Sequence, residues 1–268
     1  MPSRSSRRPR NSRTFFSPSV VPEISCIVAA KTPLGFKLET FVAAAQRFVD
    51  ERLAPVWGVS ARLKVRTRTR PGCWALVFVD TERQAQDDGW HDLTAGGMPM
   101  AKVFLRVLSD EIGPRPPKVR ETMFRNAVTV TATHEIAEML VDPATTTCVQ
   151  RFGYGLYALE IADPVEEDGF TLDGFLMTDF VYPSWYESFH KPRSTKFDAC
   201  GLCHRPFQIL KTGYATIFRR GRWRDRTGSP AKQKRFEAED RRGHRTDQRK
   251  RVSRLRRSTR RAGVANRR

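Results

Sequence analysis

No run of 18 apolar residues occurs in the 268-residue chain, which excludes a membrane-spanning helix of ordinary length. The first residues, MPSRSSRRPRNSRTFF, lack the apolar centre of a secretory leader, so a cytoplasmic location is expected. Cysteine is scarce: Cys26, Cys73, Cys148, Cys200 and Cys203 are odd in number and irregularly spaced. Five such thiols do not build a disulfide scaffold, and they fit a reducing compartment. Acidic residues are missing at one end and sparse at the other. Residues 1–20 hold five Arg and no acid, and residues 219–268 hold 21 Lys and Arg against five acids. The formal charge of +19 therefore belongs to the ends, because the 198 residues between them carry 22 basic and 24 acidic groups. The organisation this implies is a near-neutral domain over 21–218, a disordered basic arm over 1–20 and a disordered Arg-rich tail over 219–268.

Within the domain, EISCIVAA (Glu23–Ala30) has the apolar continuity of a buried strand. Phe41, Val42, Ala45, Phe48, Val49 and Leu53 recur every three or four residues, which predicts a helix that begins near Thr40 and stops at Pro55. ARLKVRTRT alternates with period two, and CWALVFVD is a continuous apolar strand. Ala101–Leu108 follows a glycine-rich approach containing Pro99, a pattern that suits an edge strand. The prolines of EIGPRPPKV (111–119) predict a loop. A helix is expected from about Glu121 to Val141, ended by Asp142-Pro143, although its β-branched start favours strand. GYGLYALEIADPVEEDG reads as turn and short helix, and FTLDGFLMTDFVYPSWY as a hairpin turning on Asp173-Gly174. RPFQILKTGYATIF is expected to supply a last strand pair.

The chemistry concentrates in VTVTATHEIAEMLVDPATT (Val128–Thr146), where an apolar segment carries His134, Glu135 and Glu138. On a helix His134 and Glu138 share one face a turn apart, and Glu135 lies about 100° round. The other positions from Ala127 to Val141 are Ala, Val, Ile, Met, Leu and Thr, so the helix has no plain solvent face. Isolated buried carboxylates are very costly and neutralise unless compensated. A divalent cation reconciles two of them, plus an imidazole, with burial. The pattern H-E-x-x-E is a variant of H-E-x-x-H, in which two histidines bind zinc and the Glu is the general base. Downstream, ALEIADP offers Glu160 and Asp163, three apart and able to point one way. Glu160 is taken as the third ligand, with Asp163 as a fourth ligand or as the group orienting His134. One His with two carboxylates leaves Zn²⁺ formally neutral, a weaker Lewis acid than a site with two His. Adding Asp163 makes the site anionic and more favourable to Mn²⁺ or Ca²⁺. The imidazole keeps zinc as the first choice. The competing explanation is an amphipathic helix whose Glu residues are answered by Arg120 and Arg125.

Lesser signals surround this set. His91, in GWHDL, is either a substrate-contacting group or a hydrogen-bonded loop histidine. Tyr157 and Tyr154, close to Glu160 in sequence, are candidate donors to a transition state or ordinary packing residues. CGLCH (Cys200–His204) matches the covalent haem attachment spacing, but without an export leader it fits a small zinc clip or buried thiols better. The Arg-rich tail suits non-specific contact with nucleic acid through phosphate neutralisation. Only Trp223 and Phe236 are available there to stack on bases.

Five segments, GWHDLTAGGMPMAKVFL, VTATHEIAEMLVDP, EIADPVE, GFLMTDFVYPSWYE and RPFQILKTGY, together resemble an uncharacterised family of bacterial and phage proteins over about residues 23–218. More distantly, the helix and its E-x-x-D resemble zincin-like metallopeptidases and the plant phosphate-induced, exordium-type proteins. The resemblance implies an α+β, zincin-like fold: a mixed sheet whose edge strand, here Ala101–Leu108, packs beside a buried HExxE helix and lines a substrate cleft. By position, His134 and Glu138 would bind zinc, Glu135 would polarise water, and Glu160 or Asp163 would complete the site. The implied activity is a metal-dependent hydrolase of a peptide or protein. The missing second histidine is the departure from true peptidases. The alternative is a non-catalytic zincin scaffold, associated with virions or bound to nucleic acid through its tails.

Overall fold

The computed structural model describes residues 21–81 and 88–238. The expected basic arm, 1–20, and residues 239–268 of the expected tail lie outside them. The chain is a mixed α+β structure around a five-stranded sheet of order β2-β1-β3-β5-β4. Its strands are β1 (Glu23–Val28), β2 (Arg62–Val65), β3 (Trp74–Val79), β4 (Gly89–Leu93) and β5 (Pro99–Phe104). β2, β1, β3 and β5 run parallel, and β4 pairs antiparallel to β5 at the margin. Parallel strands covered on both faces carry near-continuous apolar runs, as EISCIV and WALVFV do. No helix among the described residues is long and apolar enough to cross a membrane.

Helix α1 (Leu38–Phe48) buries Phe41, Val42, Ala45 and Phe48 as its periodicity predicts. Pro55 does not stop it. The chain widens into a π-helical turn, Val49–Leu53, and resumes as α2 (Ala54–Trp57), with Pro55 in the first turn of the new segment. The wider π turn before it makes room for a residue that gives no N–H to the helix. The stop comes at Gly58, whose left-handed φ of 66° and N–H bond to the Ala54 carbonyl close the helix.

Ala101–Leu108 is not one strand and not an edge. β5 ends at Phe104 and lies between β3 and β4, and α3 (Leu105–Ile112) begins at once, burying Leu105 and Leu108. Pro99 is tolerated because it opens the strand. The edge is β4, which carries His91. The loop expected over 111–119 shrinks likewise, because Pro117 is the first residue of α4 (Pro117–Val141), where a fixed φ favours the helix. α4 is helical through its β-branched start because tertiary bonds override propensity. The Thr129 hydroxyl donates to the Leu176 carbonyl at 2.8 Å, and Thr133 Oγ1 accepts the Thr178 N–H at 2.9 Å.

Those partners belong to β9 (Phe175–Thr178), which pairs with β8 (Gly169–Leu172) in the expected hairpin. Asp173 (φ 48°) and Gly174 (φ 77°) supply the two left-handed residues that such a two-residue turn requires. A further antiparallel sheet of order β11-β10-β7-β6 is built from β6 (Cys148–Arg151), β7 (Gly155–Ala158), β10 (Tyr214–Arg219) and β11 (Arg222–Thr227). The segment expected as turn and short helix therefore contains β7, and its short helix is a 3-10 turn, Asp163–Val165. The expected disorder from Arg219 onward is also corrected: β11 pairs along β10, and α5 (Pro230–Ala238) follows. Both aromatics of this segment have partners within the fold. Trp223 packs on Phe218 at 5.2 Å, and Phe236 is buried against Tyr214 at 4.8 Å.

A buried acid pair, Asp179 and Asp198, follows the hairpin, with neither residue solvent-accessible. Asp179 Oδ1 accepts the N–H groups of Phe180 and Cys200, and Asp198 Oδ2 accepts those of Leu202 and Cys203. Burial, with Asp198 adding repulsion, pushes the Asp179 carboxyl up from 3.8 to about 7. The unfolded chain therefore loses this proton first, so stability falls as pH rises from about 4 to about 7 and levels off above. Asp179→Asn keeps the Oδ1 acceptor and removes the charge. Urea denaturation is expected to show the variant more stable than wild type by roughly 2–4 kcal/mol at pH 8 and no different near pH 4. Equal stability of the two proteins at pH 8 contradicts this. Burial, with the same acids adding repulsion, holds the Cys200 thiol up at about 12 and pushes the Cys203 thiol up as well. Cys203 Sγ donates to the Gln208 carbonyl and His204 is exposed. Neither cysteine nor His204 joins any group positioned to hold a metal among the described residues.

Candidate metal centre

Three elements converge at the C-terminal half of α4. The helix contributes His134, Glu135 and Glu138, edge strand β4 contributes His91, and the segment after β7 contributes Glu160 and Asp163. Close approach of β4 depends on Gly89. A Cβ there would lie 2.7 Å from Thr131 Cγ2, 2.8 Å from the Lys102 carbonyl and 3.0 Å from Glu135 Oε1. On the other side Glu138 Oε1 accepts the Ala162 N–H at 3.2 Å, which ties the helix to the segment between Glu160 and Asp163. The Tyr186 hydroxyl donates to the Glu160 carbonyl at 3.1 Å and fixes that segment from behind.

The polar groups are withdrawn from water: Glu138, Glu160 and Asp163 are 1–2% exposed, Glu135 5% and His91 6%. His134 Nε2 lies 3.3 Å from Glu138 Oε2 and 3.4 Å from Asp163 Oδ1. His91 Nδ1 lies 3.4 Å from Glu135 Oε2 and 3.7 Å from Glu138 Oε2, while its Nε2 is 3.3 Å from the Asp142 carbonyl and 3.9 Å from Glu160 Oε2. Donor atoms of His134, Glu138 and Asp163 all fall within 4.8 Å of one another, and so do those of His91, Glu138 and Glu160. These two triads, sharing Glu138, are positioned to hold metal.

The electrostatics follow from crowding. Burial opposes a charge on His91, but the carboxylates of Glu135, Glu160 and Glu138 outweigh it and raise its pKa from 6.5 to about 9. The same contest raises His134, through Glu138 and Asp163. Glu135 is pushed up by burial, partly offset by both histidines. Four carboxylates around two imidazoles thus favour positive charge strongly, as bound protons or as a cation that displaces them.

The sequence-predicted residues fare differently. His134, Glu138 and Asp163 come together. Glu160 comes to Glu138 from the His91 side, so Asp163, not Glu160, closes the triad with His134. His91, read as a substrate-contacting or loop histidine, is a buried strand residue inside the acid cluster. Tyr157 is corrected to a core residue, 1% exposed, packed on Trp185 and Phe207 with its hydroxyl taking a bond from Arg151. The arginines proposed to answer the helix acids do not. Arg120 bonds Ser109, and Arg125 bonds the Gly174 carbonyl.

A cleft of about 400 Å³ opens along α4, with His134 and Glu135 in its lining. Leu108, Ile112 and Met123 form apolar wall, and Asp88, Glu111 and Glu166 supply acid. Burial raises the Glu166 pKa against the charge of Lys232, whose Nζ reaches it from α5 at 2.7 Å. Sequence reasoning passed over Glu166, although its spacing from Glu160 and Asp163, each three residues apart, was the available signal. Comparison with protein-family models, curated proteins and solved structures gives no match.

Proposed function

We propose that the protein is a metal-dependent hydrolase of the zincin type, acting on a peptide or protein. The observation that carries this reading is the adjacency of the His134–Glu138–Asp163 triad to the buried Glu135 carboxylate, with His134 and Glu135 lining one cleft. Zinc suits a donor set of one imidazole and two carboxylates, and Mn²⁺ is the next choice as carboxylates accumulate. Bound there, the metal would supply Lewis acidity. Glu135 takes a proton from the attacking water and returns it to the leaving amine, a role helped by a pKa that burial raises above the ordinary carboxylate value. Edge strand β4, beside the helix, offers backbone along which an extended substrate can pair. The resemblance assigned the cleft strand to Ala101–Leu108, and in this reading that role passes to β4.

The test is elemental analysis of full-length protein purified without added zinc, joined to an assay for new N-termini in an unfolded protein substrate. The expected result is bound metal, reduced in His134→Ala, and cleavage that a chelator stops. Protein without metal overturns the reading. Metal without cleavage favours the alternative, a non-catalytic scaffold in which the ion serves only stability.

A further inference from the structure

The two triads invite a count of ions. We propose that the site is dinuclear: one divalent cation held by His134, Glu138 and Asp163, a second by His91, Glu138 and Glu160, with Glu138 Oε2 as the shared bridge. The inference rests on the metal-site reading above and adds the second ion and its ligands.

The geometry argues for two centres. Around a tetrahedral ion with bonds of about 2.0–2.1 Å, donors sit about 3.3–3.4 Å apart. The first triad has this spacing, with His134 Nε2 at 3.3 and 3.4 Å from its two oxygens. The second is looser: His91 Nδ1 lies 3.7 Å from Glu138 Oε2 and Nε2 3.9 Å from Glu160 Oε2, and one donor atom from each of the three residues falls within 4.8 Å of the others. The two histidines belong to separate triads, and the five donors do not close into one. Each imidazole approaches the same oxygen, Glu138 Oε2, while Oε1 is occupied by the Ala162 N–H. A carboxylate so placed presents one oxygen to two ions.

Charge argues the same way. Glu135, Glu138, Glu160 and Asp163 bring four negative charges into a region where none is more than 5% exposed. Two dications balance all four beside neutral imidazoles, whereas one dication balances two and leaves the rest to bound protons. Lys232, which reaches the cleft acid Glu166 at 2.7 Å, is also engaged by Glu167 at 3.6 Å. Hydrolytic sites with two ions place them about 3.5–4 Å apart and clamp attacking and leaving oxygens together. A second ion would also restore the Lewis acidity that a carboxylate in place of the second histidine removes.

The test uses Mn²⁺ as probe on full-length protein stripped by chelator and dialysed, following binding by equilibrium dialysis and electron paramagnetic resonance. Wild type is expected to take two equivalents, the second diminishing the signal per ion through exchange coupling across Glu138. His91→Ala and His134→Ala are each expected to take one, with an uncoupled spectrum. Circular dichroism verifies folding, and His91→Gln replaces any His91→Ala protein that does not fold. One equivalent in wild type, lost in His134→Ala and kept in His91→Ala, overturns the dinuclear assignment and leaves the single-metal hydrolase standing. Two equivalents that both survive His91→Ala place an ion elsewhere and also overturn it. No binding by wild type removes both proposals.

Discussion

Glu135→Gln is expected to lower hydrolytic turnover by roughly 10²- to 10⁴-fold, the usual contribution of a general base. Metal content is expected to stay unchanged. The amide is isosteric with the carboxyl and keeps an oxygen within reach of His91 Nδ1, now 3.4 Å away. It belongs to neither metal triad, so the ions keep their ligands. What disappears is the only acid of α4 that both borders the cleft and stands outside the triads. Removing one of the four negative charges also relieves burial, so thermal stability is expected to hold or rise. The measurement is single-turnover cleavage beside elemental analysis on the same preparation. Retained turnover eliminates Glu135 as the base, and lost metal makes it a ligand.

The second large effect lies at a residue with no chemistry of its own. Gly213→Ala is expected to destabilise the protein by roughly 3 kcal/mol and to weaken metal binding at least tenfold. A Cβ at Gly213 would stand 2.2 Å from the Pro164 carbonyl oxygen, 2.5 Å from its carbon and 2.8 Å from the Asp163 oxygen. All three are backbone atoms, so no side chain can swing away. The surrounding bonds pin both partners: the Leu210 N–H donates to the Pro164 carbonyl at 2.9 Å, and the Gly228 N–H donates to the Gly213 carbonyl at 2.9 Å. Relief comes only by pushing out the 3-10 turn that carries Asp163. The control is Gly96→Ala, whose Cβ would meet nothing nearer than Thr94 Oγ1 at 3.9 Å. If denaturation midpoints and Mn²⁺ affinity of the two variants coincide, Asp163 is not held in place by this contact.

Much of the site was legible because its core is local. His134 and Glu138 lie one turn apart on a helix, and Glu160 and Asp163 lie three apart on the next polar segment, so spacing alone groups them. His91 was not legible. It arrives from a strand 44 residues before Glu135, and GWHDL has no periodicity that separates an edge strand from a loop. The burial pattern of β4 places His91 and Asp92 inside side by side, which defeats the alternation rule. Helix α4 was legible from about Glu121 to its end at Val141. Its first turn was hidden by prolines that stop most helices but start this one, and α3 was hidden because AKVFLRVL carries one apolar run across a strand-to-helix junction. Beyond Arg219, charge density was read as disorder. Yet Trp223 faces Phe218 and the Thr216 hydroxyl bonds Asp225 across the strands, enough cross-strand pairing to order an arginine-rich ribbon.

The position of the acids along α4 has one more consequence. His134 to Glu138 occupy the last two turns of a 25-residue helix, and the carbonyl of its terminating residue, Asp142, meets His91. Aligned peptide dipoles leave about half a negative elementary charge at such an end. The main chain itself therefore attracts cations, before any carboxylate is counted. The same five side chains grafted at the opposite end of the helix would face a positive pole and surrender part of that attraction.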